Sequence, residues 1–293
     1  MKSLVSVYLI VFALACSYGQ TSLQYTLKKG DSFSFRQNAD QVISQEIEGT
    51  AHQITNNING LLSFEVLGEK EGSYEIELRF KELHLKMTSS IQGELMNVNA
   101  TEVKEDDIQS KIFNSLLNNP VLMTLAKNGD IIEVQGGDSL VNKMANASGL
   151  EDEFSLNMMK KSLEKEFGSK ALSESYEQLT YIYPLEKVEV GDSWQNKYTG
   201  NLIADNTWKL AALTDGIATI SGTGDVTISI AEPNSTMNLI GSQITEIRTE
   251  LGTGLILEMR VEGEAKGTST MLQLGDQEIP TTIKSTITYQ LIK

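Results

Sequence analysis

The chain has 293 residues, and 39 acidic against 24 basic residues give it a net charge of −15 at pH 7. A fold that binds nucleic acid needs a basic stripe for the phosphate backbone. The densest basic pair, residues 160–161, is balanced by Glu164 and Glu166, so nucleic acid is excluded as a predicted partner. Since Cys16 is the only cysteine, no intrachain disulfide is possible.

The first 19 residues have the features of a secretory signal peptide. Lys2 precedes an apolar run at residues 4–15 and then small and polar residues, and the run is shorter than the ~20 residues of a membrane span. We expect cleavage after Gly19 and export to the periplasm or the medium, with no transmembrane segment in the mature chain. The alternative is a lipid-modified Cys16 and attachment to the outer membrane.

Alternation of apolar and polar residues from residue 23 to about residue 96 is typical of half-buried antiparallel strands. Asp106 and Asp107 then precede apolar residues at helical spacing, which predicts a short helix over about 108–116 that is closed before Pro120.

Further along the chain, strands at 121–125 and 131–134 are predicted to form a hairpin through the turn at 127–130. Residues 139–179 carry apolar residues at helical spacing, a pattern that predicts two or three helices, one of which is expected to end at Gly168. After Pro184 the alternating pattern resumes, and the last element is predicted to be a strand.

An internal repeat is the most specific feature of the sequence. A Gly-Asp-Ser-aromatic unit occurs twice, and two further landmarks follow each copy in the same order. The matched positions are residues 27–33 and 188–194, Phe64 and Gly72 with Trp208 and Gly216, and residues 128–133 and 253–258. Such self-similarity indicates a duplication, and the unit itself is typical of a strand entry.

The duplication predicts the organisation of the chain. After the signal peptide, 1–19, we expect a first β-module with one short helix at 20–137, a helical insert at 138–184 and a second β-module at 185–293. The four aromatic residues of the repeat, Phe33, Phe64, Trp194 and Trp208, are expected to be largely buried.

The layout resembles a domain-of-unknown-function family of secreted Bacteroidetes proteins with duplicated Gly-Asp-Ser-Phe/Trp modules. The residues that carry the resemblance are the signal ending at Gln20, residues 29–33, 128–134 and 183–194, and the turn at 253–254. The resemblance implies location and architecture, and it implies no activity or ligand.

Residues 137–140, Gly-Asp-Ser-Leu, match the motif of a class of serine esterases whose base is a histidine late in the chain. Here the last histidine is His84, so no base follows the serine. We expect Asp138 or Ser139 to cap a helix instead, and we predict no catalytic residue. The Asp-Ser-Leu triplet also resembles an O-glycosylation site of exported Bacteroidetes proteins, which leaves modification of Ser139 open.

No metal or other cofactor is predicted. His52 and His84 have no partner ligand at metal-binding spacing. The acidic triplets at 105–107 and 151–153 are expected to begin helices, where negative charge complements the helix dipole, with Ca²⁺ as the alternative.

Two glycine-rich stretches, 222–224 and 252–254, lie between strand-like segments with no helix after them. We interpret both as turns and not as phosphate loops.

The predicted fold is α+β and mainly antiparallel: a duplicated, strongly curved sheet that forms an open half-barrel, as in periplasmic lipoprotein carriers, with the helices covering its concave side. Two separate β-sandwich domains are the alternative.

For function we expect a non-catalytic cell-envelope protein that binds an apolar small molecule or lipid. Met144, Met158 and Met159 in the helical segment suggest an adaptable apolar lining. The alternative is that these methionines fill a core and that the protein acts on another protein through its surface, without a pocket. An enzyme has least support. An apolar cavity of some hundreds of Å³ would favour the binding of an apolar ligand, whereas a filled core would favour the interaction protein.

Overall fold

A computed structural model describes residues 19–275 and 277–292. Most of the predicted signal peptide, including Cys16, lies outside the described residues. The strands are β1 (Ser32–Ile47), β2 (Thr50–Lys70), β3 (Ser73–Ser89), β4 (Gly93–Asn99), β5 (Pro120–Ala126), β6 (Ile131–Gln135), β7 (Ser193–Tyr198), β8 (Leu202–Thr214), β9 (Ile217–Glu232), β10 (Ser235–Glu250), β11 (Ile256–Met271) and β12 (Ile279–Ile292). The helices are α1 (Ile108–Asn114), α2 (Gly137–Asn146), α3 (Glu153–Phe167) and α4 (Ser169–Thr180), and a 3₁₀ turn spans Leu272–Leu274.

The described strands form one open antiparallel sheet in the order β6-β5-β3-β2-β1-β12-β11-β10-β9-β8-β7, with β4 paired to β3. The first and last strands, β1 and β12, pair from Ser34 opposite Ile292 to Gln45 opposite Thr281. This pairing joins the two halves of the chain in one sheet. The predicted open sheet is therefore confirmed, and the alternative prediction of two separate β-sandwich domains is wrong. Helix α4 contacts both edge strands, β6 and β7.

Alternation along the strands places the core on one face of the sheet. In β3, Tyr74, Ile76 and Leu78 are buried, whereas the intervening Glu75 is exposed. Burial of each such apolar side chain contributes about 1.5–3 kcal/mol. The inward faces of the strands and the helices therefore share a large hydrophobic core, and Leu239, Ala265 and Ile283 form a second, smaller cluster on β10, β11 and β12.

The N-terminal segment closes one end of the curved sheet. Its residues Leu23, Tyr25 and Leu27 are buried, and the Tyr25 N–H donates to the Lys127 carbonyl at 2.8 Å. The Thr26 N–H donates to the Thr253 carbonyl, also at 2.8 Å. One short segment thus ties the β5–β6 turn to the β10–β11 turn.

The two Gly-Asp-Ser units make the same backbone connections, as expected for strand entries. In each copy the glycine N–H donates to a carbonyl of the neighbouring strand, and the aspartate carboxylate accepts from an N–H three residues earlier. The pairs are Gly30 with Val66 and Lys28 with Asp31 in the first copy, and Gly191 with Leu210 and Glu189 with Asp192 in the second, all at 2.8 Å.

The expected burial of the four repeat aromatics is correct for two of them. Phe64 and Trp208 are 3% and 1% exposed, whereas Phe33 and Trp194 are only half-buried. Each half-buried ring lies directly opposite its buried partner in the strand register. Trp194 is half-buried because β7 is an edge strand, with no further strand beyond it in the described sheet.

The prediction of a turn at 222–224 is wrong, whereas the turn at 252–254 is confirmed. Residues 222–224 lie inside β9. A Cβ at Gly222 would lie 2.4 Å from the Trp208 ring. The glycine therefore makes room for a large aromatic side chain of the neighbouring strand.

The start of α2 also differs from the prediction, because neither Asp138 nor Ser139 caps it. The N-cap is Gly136, in a left-handed conformation and without a side-chain cap. The N–H of Gly137 donates instead to the Ser169 hydroxyl of α4 at 3.1 Å. A neighbouring helix thus satisfies a donor that a local cap would otherwise take.

Candidate functional site

A cavity of about 630 Å³ lies between the concave face of the sheet and helices α1, α3 and α4. Its floor consists of rows of side chains that face inward from neighbouring strands. In strand register these rows are Tyr289-Gln37-Gly60-Leu83, Ile287-Ala39-Ile58-Leu85 and Ser285-Gln41-Asn56-Met87-Met96. The floor thus alternates between rows that carry amides or hydroxyls and a row that is entirely apolar.

The roof of the cavity is aromatic. Phe113 of α1 and Phe167 of α3 have ring centroids 6.2 Å apart, and Phe167 lies 6.3 Å from Phe80 of β3. Leu172 and Tyr176 of α4 complete this side. Edge-to-face packing of this kind gives the roof a defined shape.

Polar and apolar side chains both line the cavity, and some of the polar ones are paired with one another. The Gln37 amide donates to the Tyr289 hydroxyl at 3.3 Å. The Asn56 amide donates to the Gln41 side-chain oxygen at 3.0 Å, while Asn56 Oδ1 is buried without a hydrogen-bond partner. Burial raises the pKa of Tyr176 and of Tyr289, so both hydroxyls stay protonated and neutral at physiological pH.

Few charged residues border the cavity. Ala39 and Gln41 face inward in β1, and Leu85 and Met87 face inward in β3, so alternation turns the side chains of Asp40 and Lys86 to the outer face of the sheet. Partial burial, and then the charge of Glu232, raise the pKa of Glu166 on α3. The side chains of the floor are therefore uncharged.

The methionines expected to line a ligand site are elsewhere. Met144 is fully buried in α2 and Met158 is 54% exposed on α3, and neither they nor Met159 line the cavity. Met87 and Met96, on β3 and β4, do line it. Period-two spacing with Leu83 and Leu85 marks Met87 as inward-facing, but only the helical roof determines which inward residues border a cavity.

The structure does not bring a histidine to the Gly-Asp-Ser-Leu segment. Ser139 is exposed in a depression of about 460 Å³ that is lined by Glu77, Lys143 and other residues, none of them histidine. His84 pairs with Asn97 and His52 with Ser89, each at 3.0 Å.

Both acidic triplets begin helices, as predicted. The Asp107 carboxylate accepts from the N–H groups of Gln109 and Ser110, and the Asp152 carboxylate accepts from the Ser155 N–H. The hydrogen bonds to Ser155 lower the pKa of Asp152.

Glu174 and Glu177 on α4 and Asp130 in the β5–β6 turn form a cluster of carboxylates, from which we expect a dependence of stability on pH. Partial burial, and then Asp130 and Glu174, raise the pKa of Glu177 to about 7 from an ordinary value of 4.5. Between these two pH values the folded state holds more protons than the unfolded state, so the free energy of unfolding decreases as pH rises.

We expect Glu177→Gln to flatten this dependence, so that the melting temperature falls less between pH 5 and pH 8 than in the wild type. Thermal melts followed by circular dichroism will measure it, with the exposed Glu186→Gln as the matched control. Equal pH slopes for wild type and Glu177→Gln would contradict the expectation.

Residues 71–256 match a family of unknown function, DUF6263. The chain belongs to this family. The resemblance drawn from the sequence is confirmed at the level of a domain of unknown function, while Bacteroidetes origin and duplicated modules stay predictions. No curated protein matches the DUF6263 chain.

Among solved structures, the chain is similar to lipovitellin, in a structure concerned with its lipid–protein interactions. The identity is 13% and the TM-score 0.50, over 92% of this chain and 26% of the lipovitellin chain. The chain thus spans about a quarter of that protein, and the likeness shows the fold alone.

Two other similar structures have TM-scores too low to bear on the fold. DynF of the dynemicin pathway of Micromonospora chersina shares 6% identity over 94% of this chain and 85% of its own, at a TM-score of 0.26. An outer membrane channel from Pseudomonas putida F1 shares 8% identity over 92% and 97%, also at 0.26. In the described part of the DUF6263 chain, no helix has the length and apolarity to cross a membrane.

Proposed function

We propose that this protein is a non-catalytic carrier that holds an apolar or amphipathic small molecule, of the lipid class, between sheet and helices. The observation that carries the proposal is the cavity of about 630 Å³, with its aromatic roof and the apolar row Ile287-Ala39-Ile58-Leu85 across its floor. Binding sites for small molecules are typically about 300–1,000 Å³ and mostly apolar, with a few polar groups.

The lining suits a hydrocarbon chain. Each methylene group transferred from water to such a surface contributes about 0.8 kcal/mol. The flexible side chains of Met87 and Met96 adapt to chains of different shape.

Helix α3 offers a route of entry. It contains no fully buried residue, and its Phe154 and Met158 are 74% and 54% exposed. A helix with so little buried surface opens locally at low cost. Its inner residue Phe167 contacts the roof cluster, so movement of α3 uncovers the cavity.

The comparisons support this proposal at the level of the fold, since lipovitellin combines a similar open sheet with lipid–protein interactions. We also propose export, with cleavage after Gly19 or lipidation at Cys16. The duplication proposed for the two halves is supported by their matching hydrogen bonds at Gly30 and Gly191.

A second candidate function is interaction with another protein. Phe154 and Met158 are spaced one helical turn apart and form an exposed apolar pair on α3. A protein that works only through this surface needs no ligand in the cavity, so a binding measurement distinguishes the two functions.

Ala39→Trp is expected to weaken binding of the neutral probe N-phenyl-1-naphthylamine at least tenfold. Ala39 faces inward from β1 in the apolar row of the floor, and an indole there occupies space that the ligand needs. Fluorescence titration gives the affinity, and circular dichroism checks that the variant folds.

The matched control is Ala211→Trp, an exposed position of β8, which should leave probe binding unchanged. The carrier proposal fails if the wild-type protein shows no saturable binding of the probe. It also fails if folded Ala39→Trp binds the probe as tightly as the wild type.

A further inference from the structure

We infer that the cavity holds a single hydrocarbon chain of up to about 20 carbon atoms, so that its ligands are lipids with one chain and not glycerolipids with two. The inference rests on the proposed carrier function and adds the class of lipid. It follows from the volume of the cavity, from its boundaries and from the pattern of its floor.

The volume sets the capacity of the cavity. That volume is about 630 Å³, and a water molecule, which is close in size to a methylene group, takes about 30 Å³ of the liquid. The cavity therefore has room for roughly 20 groups of this size. One long acyl chain fills most of the space, and a second chain of the same length finds none.

Buried side chains bound the cavity on three sides. The apolar row of the floor is continued by Val261 on β11 and by Val98 on β4, which are 9% and 2% exposed. The row next to it ends in Tyr289 and Leu83, which are 5% and 7% exposed. Because protein interiors are close-packed, the floor does not widen for a second chain unless these side chains leave their buried positions.

The floor offers a continuous apolar surface to one chain only. The apolar row Ile287-Ala39-Ile58-Leu85 lies between two rows that carry side-chain amides, those of Gln37 on one side and of Gln41 and Asn56 on the other. Alternate residues of a strand are about 6.7 Å apart. A second chain beside the first would therefore lie over amides and not over apolar side chains.

A second chain would consequently stay in water, and this decides the class of lipid. Each methylene group moved from hydrocarbon into water lowers the equilibrium constant about fourfold. Both chains of a membrane lipid start in hydrocarbon, so a lipid with two chains loses this factor for every methylene group that its second chain exposes. A lipid with one chain incurs no such loss while the chain is no longer than the cavity.

Extraction of lipid from vesicles tests the inference. The protein is incubated with vesicles of dioleoylphosphatidylcholine that contain small amounts of 1-oleoyl-lysophosphatidylcholine and 1-monooleoylglycerol, separated from them by gel filtration and measured by native mass spectrometry. We expect one single-chain lipid per protein molecule. Although dioleoylphosphatidylcholine is in large excess in the vesicles, we expect less than about one-tenth as much of it on the protein, because its second chain would be exposed to water.

A series of saturated lysophosphatidylcholines of increasing chain length locates the limit of the cavity. Relative to its share in the vesicles, the bound lipid should stay level up to about 20 carbons and then fall about fourfold for each further methylene group. Met87→Ala together with Met96→Ala removes about six heavy atoms from the lining and should raise the limit by about as many carbons. Met96→Ala alone, a milder change, should raise it by about half as much.

Met158→Ala is the matched control, since Met158 is 54% exposed on α3 and lies outside the lining of the cavity. It should leave the limit unchanged, and circular dichroism checks that each variant folds. Three results overturn the inference: recovery of the two-chain lipid in amounts equal to the single-chain lipids, recovery of neither kind, or an unchanged limit in the folded Met96→Ala protein. In each case the carrier proposal survives if N-phenyl-1-naphthylamine still binds. Absence of probe binding to the wild type is the distinct result that defeats the carrier proposal itself.

Discussion

Trp208→Ala is expected to lower the free energy of unfolding by about 3–5 kcal/mol, the usual cost of deleting a buried aromatic side chain. Trp208 is 1% exposed, its ring fills the space left by Gly222, and its indole N–H donates to Asn196 Oδ1 at 2.9 Å. The variant loses the buried surface, leaves a cavity and removes a donor from Asn196. Urea denaturation will measure the change.

The matched variant is Trp194→Ala, which removes the same side chain from the facing position on β7. Because Trp194 is half-buried, less apolar surface is lost, and we expect a cost of about 1–2 kcal/mol. Trp208→Phe separates packing from hydrogen bonding, since it keeps most of the ring and loses the indole donor. Equal costs for Trp194→Ala and Trp208→Ala, or a cost below about 1 kcal/mol for Trp208→Ala, would contradict this account of the core.

Gly129→Ala is expected to destabilise the fold by about 3 kcal/mol or more, through backbone strain and overpacking together. Gly129 has φ +93°, and a Cβ there would lie 1.7 Å from the Thr180 carbonyl oxygen. The β5–β6 turn is held against the end of α4, where the Tyr183 N–H donates to the Asn128 carbonyl at 3.2 Å. The methyl group must push the turn away from the helix.

Gly72→Ala is the control that isolates this contact. Gly72 has a similar φ of +83° in the β2–β3 turn, but nothing lies within 4 Å of its added Cβ. Both substitutions restrict the unfolded chain equally, so Gly72→Ala should cost only the strain of a left-handed alanine, about 1 kcal/mol. If the two melting curves shift equally, the turn is not held against α4 in solution.

Features that depend on a few neighbouring residues were predictable from the sequence. The hairpin at 127–130, the helix starts at Asp107 and Asp152 and the alternation of β3 all appear in the structure. Each rests on interactions within one turn or along one strand, which local residue type decides. The strand-entry role of the Gly-Asp-Ser units belongs to this group.

Features that depend on residues distant in sequence were mispredicted. Residues 222–224 form part of a strand and not a turn, because the Trp208 ring lies against Gly222. Helix α2 starts without a side-chain cap, because the Ser169 hydroxyl accepts the hydrogen bond of the Gly137 N–H. Glycine has the same appearance in a sequence whether it permits a turn or makes room for a neighbour. The identity of that neighbour is a property of the fold.

By itself, the sequence determined the class of the fold and the inward and outward faces of its strands, since alternation alone assigns each side chain to a face. It also determined that the inward side chains in the floor of the cavity are uncharged. Only the tertiary structure decided that a cavity exists. The pairing of β1 with β12 makes one sheet of the two halves, and the position of α3 and α4 above it leaves space over Ala39 and Asn56. Whether side chains fill a space depends on the distance between layers, which packing across the whole chain sets.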